Sequence, residues 1–85
     1  MTYQPTNLIT LQGLILPTRW DERGNVIDLA ISTFDEEEYH IDHDEIWQQL
    51  LSYLRLEVEV MGWVSQPDEK KQIKVTSYLL LSKKK

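Results

Sequence analysis

The stretch "RLEVEVMGWV" at residues 55–64 decides the fold class, because its apolar and polar side chains alternate with a period of two. Successive side chains of a β-strand point to opposite faces. One face of this stretch carries only Leu56, Val58, Val60 and Val64, and the other carries Glu57, Glu59, Met61 and Trp63. The pattern predicts a strand with one buried face. Met61 and Trp63 are then either covered by a helix, which we favour, or exposed as an apolar patch for a partner.

The segments on either side of this strand predict a helix and a last strand. Downstream, the polar loop "SQPDEKKQ" (65–72) leads into "IKVTSYLLL" (73–81), where Ile73 and Val75 face inward and Tyr78 rejoins them across a bulge. Upstream, "DHDEIWQQLLSYL" (42–54) carries apolar residues at the i, i+4 spacing of a helix that buries one stripe. We expect residues 44–54 to be helical, with Leu50 deeply buried.

The start of this helix has a recognisable signal. Asp42 is followed three positions later by Glu45, which resembles a capping box with Asp in the role of Ser or Thr. The first turn is also rich in acids, which the helix dipole favours.

The first half of the chain predicts three more strands. "NLITLQGLILP" (7–17) is apolar on both faces, as in a strand covered on both sides, and Gly13 in its middle indicates a bulge or sharp bend. A turn at 18–25 leads into "VIDLAISTF" (26–34), which alternates as a half-buried strand, so the two form a hairpin. "EYHI" (38–41) is a short third strand.

The resulting order is strand, strand, short strand, helix, strand, strand. This order, with Gly13 and Gly62 in the middle of long strands, resembles the OB-fold. The resemblance implies a mainly β, five-stranded Greek-key barrel with one helix between strands 3 and 4. The alternative is the β-grasp fold, in which the last strand runs parallel to the first. We expect a single domain over 1–85, with the barrel at about 7–81 and flexible ends at 1–6 and 82–85.

Charge and composition limit the function classes. The net charge is −5, yet residues 35–45 alone hold seven acids and no Lys or Arg, so the acidity is local. Cysteine is absent, which excludes disulfides and thiolate metal sites. The stretch "MTYQPTNLIT" (1–10) lacks the basic segment and apolar run typical of a signal peptide, and no apolar run approaches the about 20 residues that span a bilayer. We therefore expect a small soluble cytoplasmic domain without a cofactor or a membrane contact.

The acidic run "DEEEYHIDHDE" (35–45) has three interpretations. His40, His43 and the carboxylates are suitable metal donors, but the two histidines straddle a strand-to-helix junction and have no regular reason to converge. A solvated corner that caps the helix is the interpretation we favour, and an acidic contact surface for a basic partner is the third. No catalytic motif or phosphate loop is present, so we expect a protein that is not an enzyme.

The resemblance implies a binding module. OB-folds often bind single-stranded nucleic acid or oligosaccharides on the face of strands 2 and 3, between the loops that join strands 1–2 and 4–5. The candidate ligand-binding residues in this chain are Arg19, Trp20, Arg23, Tyr39, Lys70, Lys71 and Lys74. The alternative is a protein-interaction module that uses the acidic corner, with Glu36, Glu37 and Glu38 as its contact residues.

Overall fold

A computed structural model describes residues 8–66 and 70–81 of the chain. Its elements are β1 (Leu8–Trp20), β2 (Val26–Thr33), β3 (Glu38–Ile41), α1 (Glu45–Leu50), a 3-10 turn (Leu51–Tyr53), β4 (Glu57–Ser65) and β5 (Gln72–Leu80). The predicted fold class is confirmed, because the chain is mainly β with one helix between the third and fourth of five strands. The predicted flexible ends, 1–6 and 82–85, lie outside the described residues.

The strands form a closed, barrel-like ring in the order β1-β2-β3-β5-β4, and β4 pairs back to β1. Among the described strands, every pairing is antiparallel except the short parallel contact between β3 and β5, at His40–Gln72 and Ile41–Ile73. An isolated parallel bridge also joins Ile15 of β1 to Leu54. The predicted hairpin of β1 and β2 is confirmed. The β-grasp alternative is wrong, because among the described strands β5 pairs with β3 and β4 and not with β1.

β1 is shared between two neighbours along its length. Residues 8–14 pair with β4, and residues 13–20 pair with β2. Gly13 lies where the two pairings overlap, and a Cβ there would stand 2.7 Å from the Ser32 carbonyl carbon. Only a glycine lets the two backbones come this close. The register of β1 is regular at Gly13, and its irregularities toward β2 lie between Pro17 and Trp20.

Gly62 has the same role on β4. A Cβ at this position would lie 2.9 Å from both the Lys74 carbonyl carbon and the Val75 Cα. The register between β4 and β5 shifts here, since Met61 pairs with Ser77 while Gly62 pairs with Val75. The extra residue on β5 is a β-bulge, which turns the following side chains around. The predicted bulge is confirmed, and Tyr78 packs against the core as expected.

The core fills the inside of the ring and one of its ends. Among the described residues, the buried apolar side chains are Ile15, Leu29, Ala30, Ile31, Ile41, Trp47, Leu50, Val58, Val60, Ile73 and Val75. The expectation that β1 is covered on both faces was wrong, because Leu8 and Leu14 on its outer face are exposed. The expectation that a helix covers Met61 was wrong as well, since this side chain is 39% exposed.

The helix packs over the ring through Trp47 and Leu50, and Leu50 is fully buried as predicted. It is shorter than expected: α1 ends at Leu50 and continues as the 3-10 turn. The capping residue is Asp44 and not Asp42, because Asp44 is extended and its Oδ1 accepts from the N–H groups of Ile46 and Trp47, both at 3.1 Å. The helix is thus fixed by a side chain at its boundary with β3.

Candidate functional site

The turn between β1 and β2, residues 21–25, is organised by one carboxylate. Asp21 Oδ1 accepts from the backbone N–H groups of Arg23 at 2.8 Å and of Asn25 at 2.9 Å. Hydrogen bonds from Asn25, first from its backbone and then from its side chain, lower the pKa of Asp21. Gly24 takes a φ of 87°, which glycine adopts without strain. The turn therefore presents Trp20 and Arg23 from a defined backbone.

Trp20 and its two arginines are all exposed, and one arginine has an acidic partner. The Trp20 side chain is 53% exposed at the end of β1. Arg19 Nε lies 2.7 Å from the Asp28 carboxylate, directly across the β1–β2 pairing. Arg23 shares a shallow depression with two acids, Asp21 and Glu22, and with Asn25. The first predicted loop thus offers an aromatic surface with little excess positive charge.

Two of the three lysines predicted at the second loop, Lys71 and Lys74, form ion pairs with carboxylates. Lys71 forms an ion pair with Glu37 and places its Nζ 5.3 Å from the centre of the Tyr39 ring. Lys74 Nζ contacts the Asp44 carboxylate at 3.1 Å. Lys70 is exposed to solvent.

The pKa of Asp44 is lowered by its cap hydrogen bond from the Trp47 N–H and by its ion pair with Lys74. Partial burial raises the pKa of this carboxyl, but the hydrogen bond from the Trp47 N–H and the contact with Lys74 outweigh it, so the pKa lies below its usual value. Both Asp44 and Lys74 therefore have roles in fixing the helix to β5.

The predicted ligand-binding residues form two groups and do not meet in one groove. Tyr39 and Lys71 are in contact, and Tyr39 lies opposite Ile31 of β2. Trp20 lies opposite Val26, at the other end of β2. Five residues of strand separate the two levels, which is roughly 17 Å at about 3.4 Å per residue. Tyr39 also lies on the same face as fully buried Ile31 and packs against the core, so the two groups do not share one outer surface of β2 and β3.

Residues 34–37, which include the first three acids of the acidic run, connect β2 to β3 in a tight turn that we call the acidic turn. The N–H of Thr33 donates to the Glu37 carbonyl at 2.9 Å, and the N–H of Glu36 donates to the Thr33 carbonyl at 3.0 Å. Glu36 has a φ of 69°, a left-handed conformation that is uncommon for a residue with a side chain. The predicted contact residues Glu36 and Glu38 are exposed, while Glu37 is half-buried beside Lys71.

An open groove of about 360 Å³ lies between this turn and the start of β1. Its lining consists of Thr10, Leu11, Gln12, Thr33, Phe34, Asp35, Glu37 and Tyr39. Two carboxylates line it, and Lys71 is paired with one of them, Glu37, so the unpaired negative charge of the lining belongs to Asp35. We call this feature the acidic groove.

Sequence reasoning missed two parts of the acidic groove. One is Phe34, which is 65% exposed at the start of the acidic turn. An aromatic residue directly before four acids was the available signal, because such a residue is poorly placed for a core. The other is the 10–12 segment of β1, whose position beside the turn depends on how β1 passes from β4 to β2 at Gly13.

The two histidines lie in different elements: His43 stacks on a side chain of α1, and His40 is part of β3. The His43 ring stacks on Trp47, with the ring centres 3.8 Å apart. His40 sits in β3, between Ala30 of β2 and Gln72 of β5. Among residues 8–66 and 70–81, no group of three or more His, Asp or Glu side chains is arranged to hold a metal ion.

Within the described ranges, no helix combines the length and the apolar character that crossing a bilayer requires. Comparison of the chain with protein-family models, curated proteins and solved structures gave no match.

Proposed function

We propose that this chain is an OB-fold domain that acts as a non-enzymatic binding module for a basic segment of a partner protein. The ring order, the parallel pairing of β3 with β5 and the helix between β3 and β4 support the OB-fold assignment. Fold alone does not give a function. The class of ligand is indicated by the side chains that line the acidic groove.

The acidic groove carries the proposal, because it combines charge with exposed aromatic surface. Phe34 projects into solvent next to Asp35, and Tyr39 lines the same groove. Exposed Glu36 and Glu38 extend the negative field beyond the groove. A partner segment with Lys or Arg would be steered by this field, and aliphatic stems could pack on the two rings.

A second candidate, binding of single-stranded nucleic acid, is favoured by the exposed Trp20 beside Arg19 and Arg23. Bases stack on such a ring at a gain of about 1–3 kcal/mol each. The paired cations count against it, since Arg19, Lys71 and Lys74 each lie against a carboxylate. A phosphate would have to displace these carboxylates, and the acidic turn would repel it.

The two candidates respond in opposite ways to loss of acidic charge. The test variant is Glu36→Gln/Glu38→Gln, because both side chains are exposed and neither is the ion-pair partner of Lys71. The matched control is Glu22→Gln/Glu45→Gln, which makes the same charge change at exposed positions outside the groove. The probes are a short arginine-rich peptide and oligo-dT, with affinity followed by fluorescence anisotropy at low ionic strength.

The basic-segment proposal predicts that the test variant binds the peptide about fivefold more weakly than the control variant, with the difference shrinking at high salt. Nucleic-acid binding predicts instead that the test variant binds oligo-dT more tightly than the control does. An unmodified protein that binds oligo-dT and shows no affinity for the peptide would contradict the proposal.

A further inference from the structure

Among the described residues, no strand lies beside one edge of β1 at residues 8–12. β4 covers the opposite edge from Leu8 onward, but pairing with β2 begins only at Gly13, opposite Thr33. β2 does not continue along β1, because the chain turns toward β3 directly after Thr33, where the Thr33 N–H donates to the Glu37 carbonyl and the Glu36 N–H donates to the Thr33 carbonyl. Within residues 8–66 and 70–81, no other strand pairs with this edge.

The backbone groups on this open edge can be assigned by alternation. The N–H of Ile15 donates to the Leu56 carbonyl at 3.3 Å, and its C=O accepts from the Arg55 N–H at 2.6 Å, so the groups of Ile15 face the β4 side. Successive residues of a strand direct their N–H and C=O to opposite edges. Thr10 and Gln12 differ in parity from Ile15, and the pairing with β4 has no register shift between them. Their backbone groups therefore face the open edge.

The open edge runs along the acidic groove. Thr10 and Gln12 line one wall, and Phe34, Asp35 and Tyr39 line the other. A row of unpaired N–H and C=O groups is a template for another strand. An extended segment placed there would have backbone hydrogen-bonding groups on one side and carboxylates and aromatic rings on the other.

We propose that the partner's basic segment binds by β-strand addition to residues 8–12 of β1. This inference rests on the proposed function and adds the mode of binding. Backbone hydrogen bonds to Thr10 and Gln12 supply affinity for any extended chain. Charge complementarity with Asp35 and the exposed acids of the turn selects a chain with basic side chains.

Hydrogen exchange measured by NMR tests the edge without any mutation. In the free protein the amides of Thr10 and Gln12 exchange at least about tenfold faster than those of Ile9 and Leu11, which face β4. Saturation with a hexapeptide that alternates arginine and valine slows exchange at Thr10 and Gln12. Protection of these two amides in the free protein would overturn the proposal, because the edge would then already be paired.

Two modified peptides separate strand addition from simple charge attraction. They have the sequence of the hexapeptide and carry backbone N-methyl groups on the odd or on the even residues, so each lacks the N–H donors along one edge. Strand addition predicts that at least one of them binds about tenfold more weakly than the unmodified peptide, as expected for two lost hydrogen bonds.

The outcomes distinguish this inference from the proposed function. If all three peptides bind equally and affinity still falls in the Glu36→Gln/Glu38→Gln variant, the segment binds by charge and strand addition is wrong. If the unmodified peptide does not bind at all, both the proposed function and the inference fail.

Discussion

At the scale of single residues, two glycines shape the ring that supports the acidic groove. Gly13 lets β1 pass from β4 to β2, and Gly62 lets β4 lie against β5 at the bulge. Both positions could be singled out from the sequence, because glycine inside a strand often marks a bulge or a close approach of another backbone. Their partners, the backbones at Ser32 and Lys74, were not predictable, since close approach between distant segments leaves no local pattern.

Gly62→Ala should destabilise the protein by about 3 kcal/mol, because the added Cβ would collide with the backbone at Lys74 and Val75. Urea denaturation followed by tryptophan fluorescence measures the change. Ser77→Ala is the control, since this exposed position on the neighbouring strand should change stability by less than about 0.5 kcal/mol. Equal stability of Gly62→Ala and the control would mean that the strands are not this close.

At the scale of elements, the alternation of apolar and polar residues predicted the positions of the strands well. It predicted poorly which strand faces are covered by other elements. The hairpin of β1 and β2, the short β3 and the bulge in β5 all followed from local pattern. Apolar side chains on both faces of β1 were a misleading signal, because Leu8 and Leu14 lie on the outside of the ring. Whether a second layer covers a strand depends on the rest of the fold, and the described part of the chain has only one short α-helix to supply it.

The helix start was misplaced for a related reason. Asp42 and Asp44 both precede the apolar periodicity, and only the backbone conformation decides which of them caps. Asp44 has φ −145° and ψ −162°, and its side chain reaches the first free N–H groups. Asp42 is partly buried, and this burial together with Asp44 raises its pKa despite the opposing charge of Lys74.

The two aspartates should therefore respond to substitution with opposite signs. Asp44→Ala should cost about 1 kcal/mol near neutral pH through loss of the cap. The pKa of Asp44 lies below 3.8 in the folded protein, so its stabilisation is present above that pH and is lost as the pH falls through the folded value. The pKa of Asp42 is raised above 3.8, so its charge disfavours folding near neutral pH.

Asp42→Asn should accordingly leave the free energy of unfolding unchanged or raise it near neutral pH, and the difference from the unmodified protein should vanish below pH 3.8. Denaturation curves of both variants over an acidic to neutral pH series make the comparison. If Asp42→Asn lost as much stability as Asp44→Ala, Asp42 would contribute to the helix cap, which contradicts the assignment of the cap to Asp44 alone.

At the scale of the whole molecule, the fold class could be predicted and the candidate site only in part. Element order led to the five-stranded ring, and the cluster of acids was visible in the sequence. The ion pairs of Arg19, Lys71 and Lys74 were not, because each joins residues from different elements. These ion pairs reduce the positive charge that is available to bind phosphate, and this favours our proposal that the partner binds in the acidic groove.

The central claim is that a basic segment binds in the acidic groove, and an NMR titration tests it most directly. Isotope-labelled protein is titrated with the arginine-valine hexapeptide, and the backbone amide shifts are mapped onto the structure. The account predicts that the largest changes fall at residues 10–12 and 33–39, on both walls of the groove. Changes confined to residues 19–25, around Trp20, with none in the groove would contradict it.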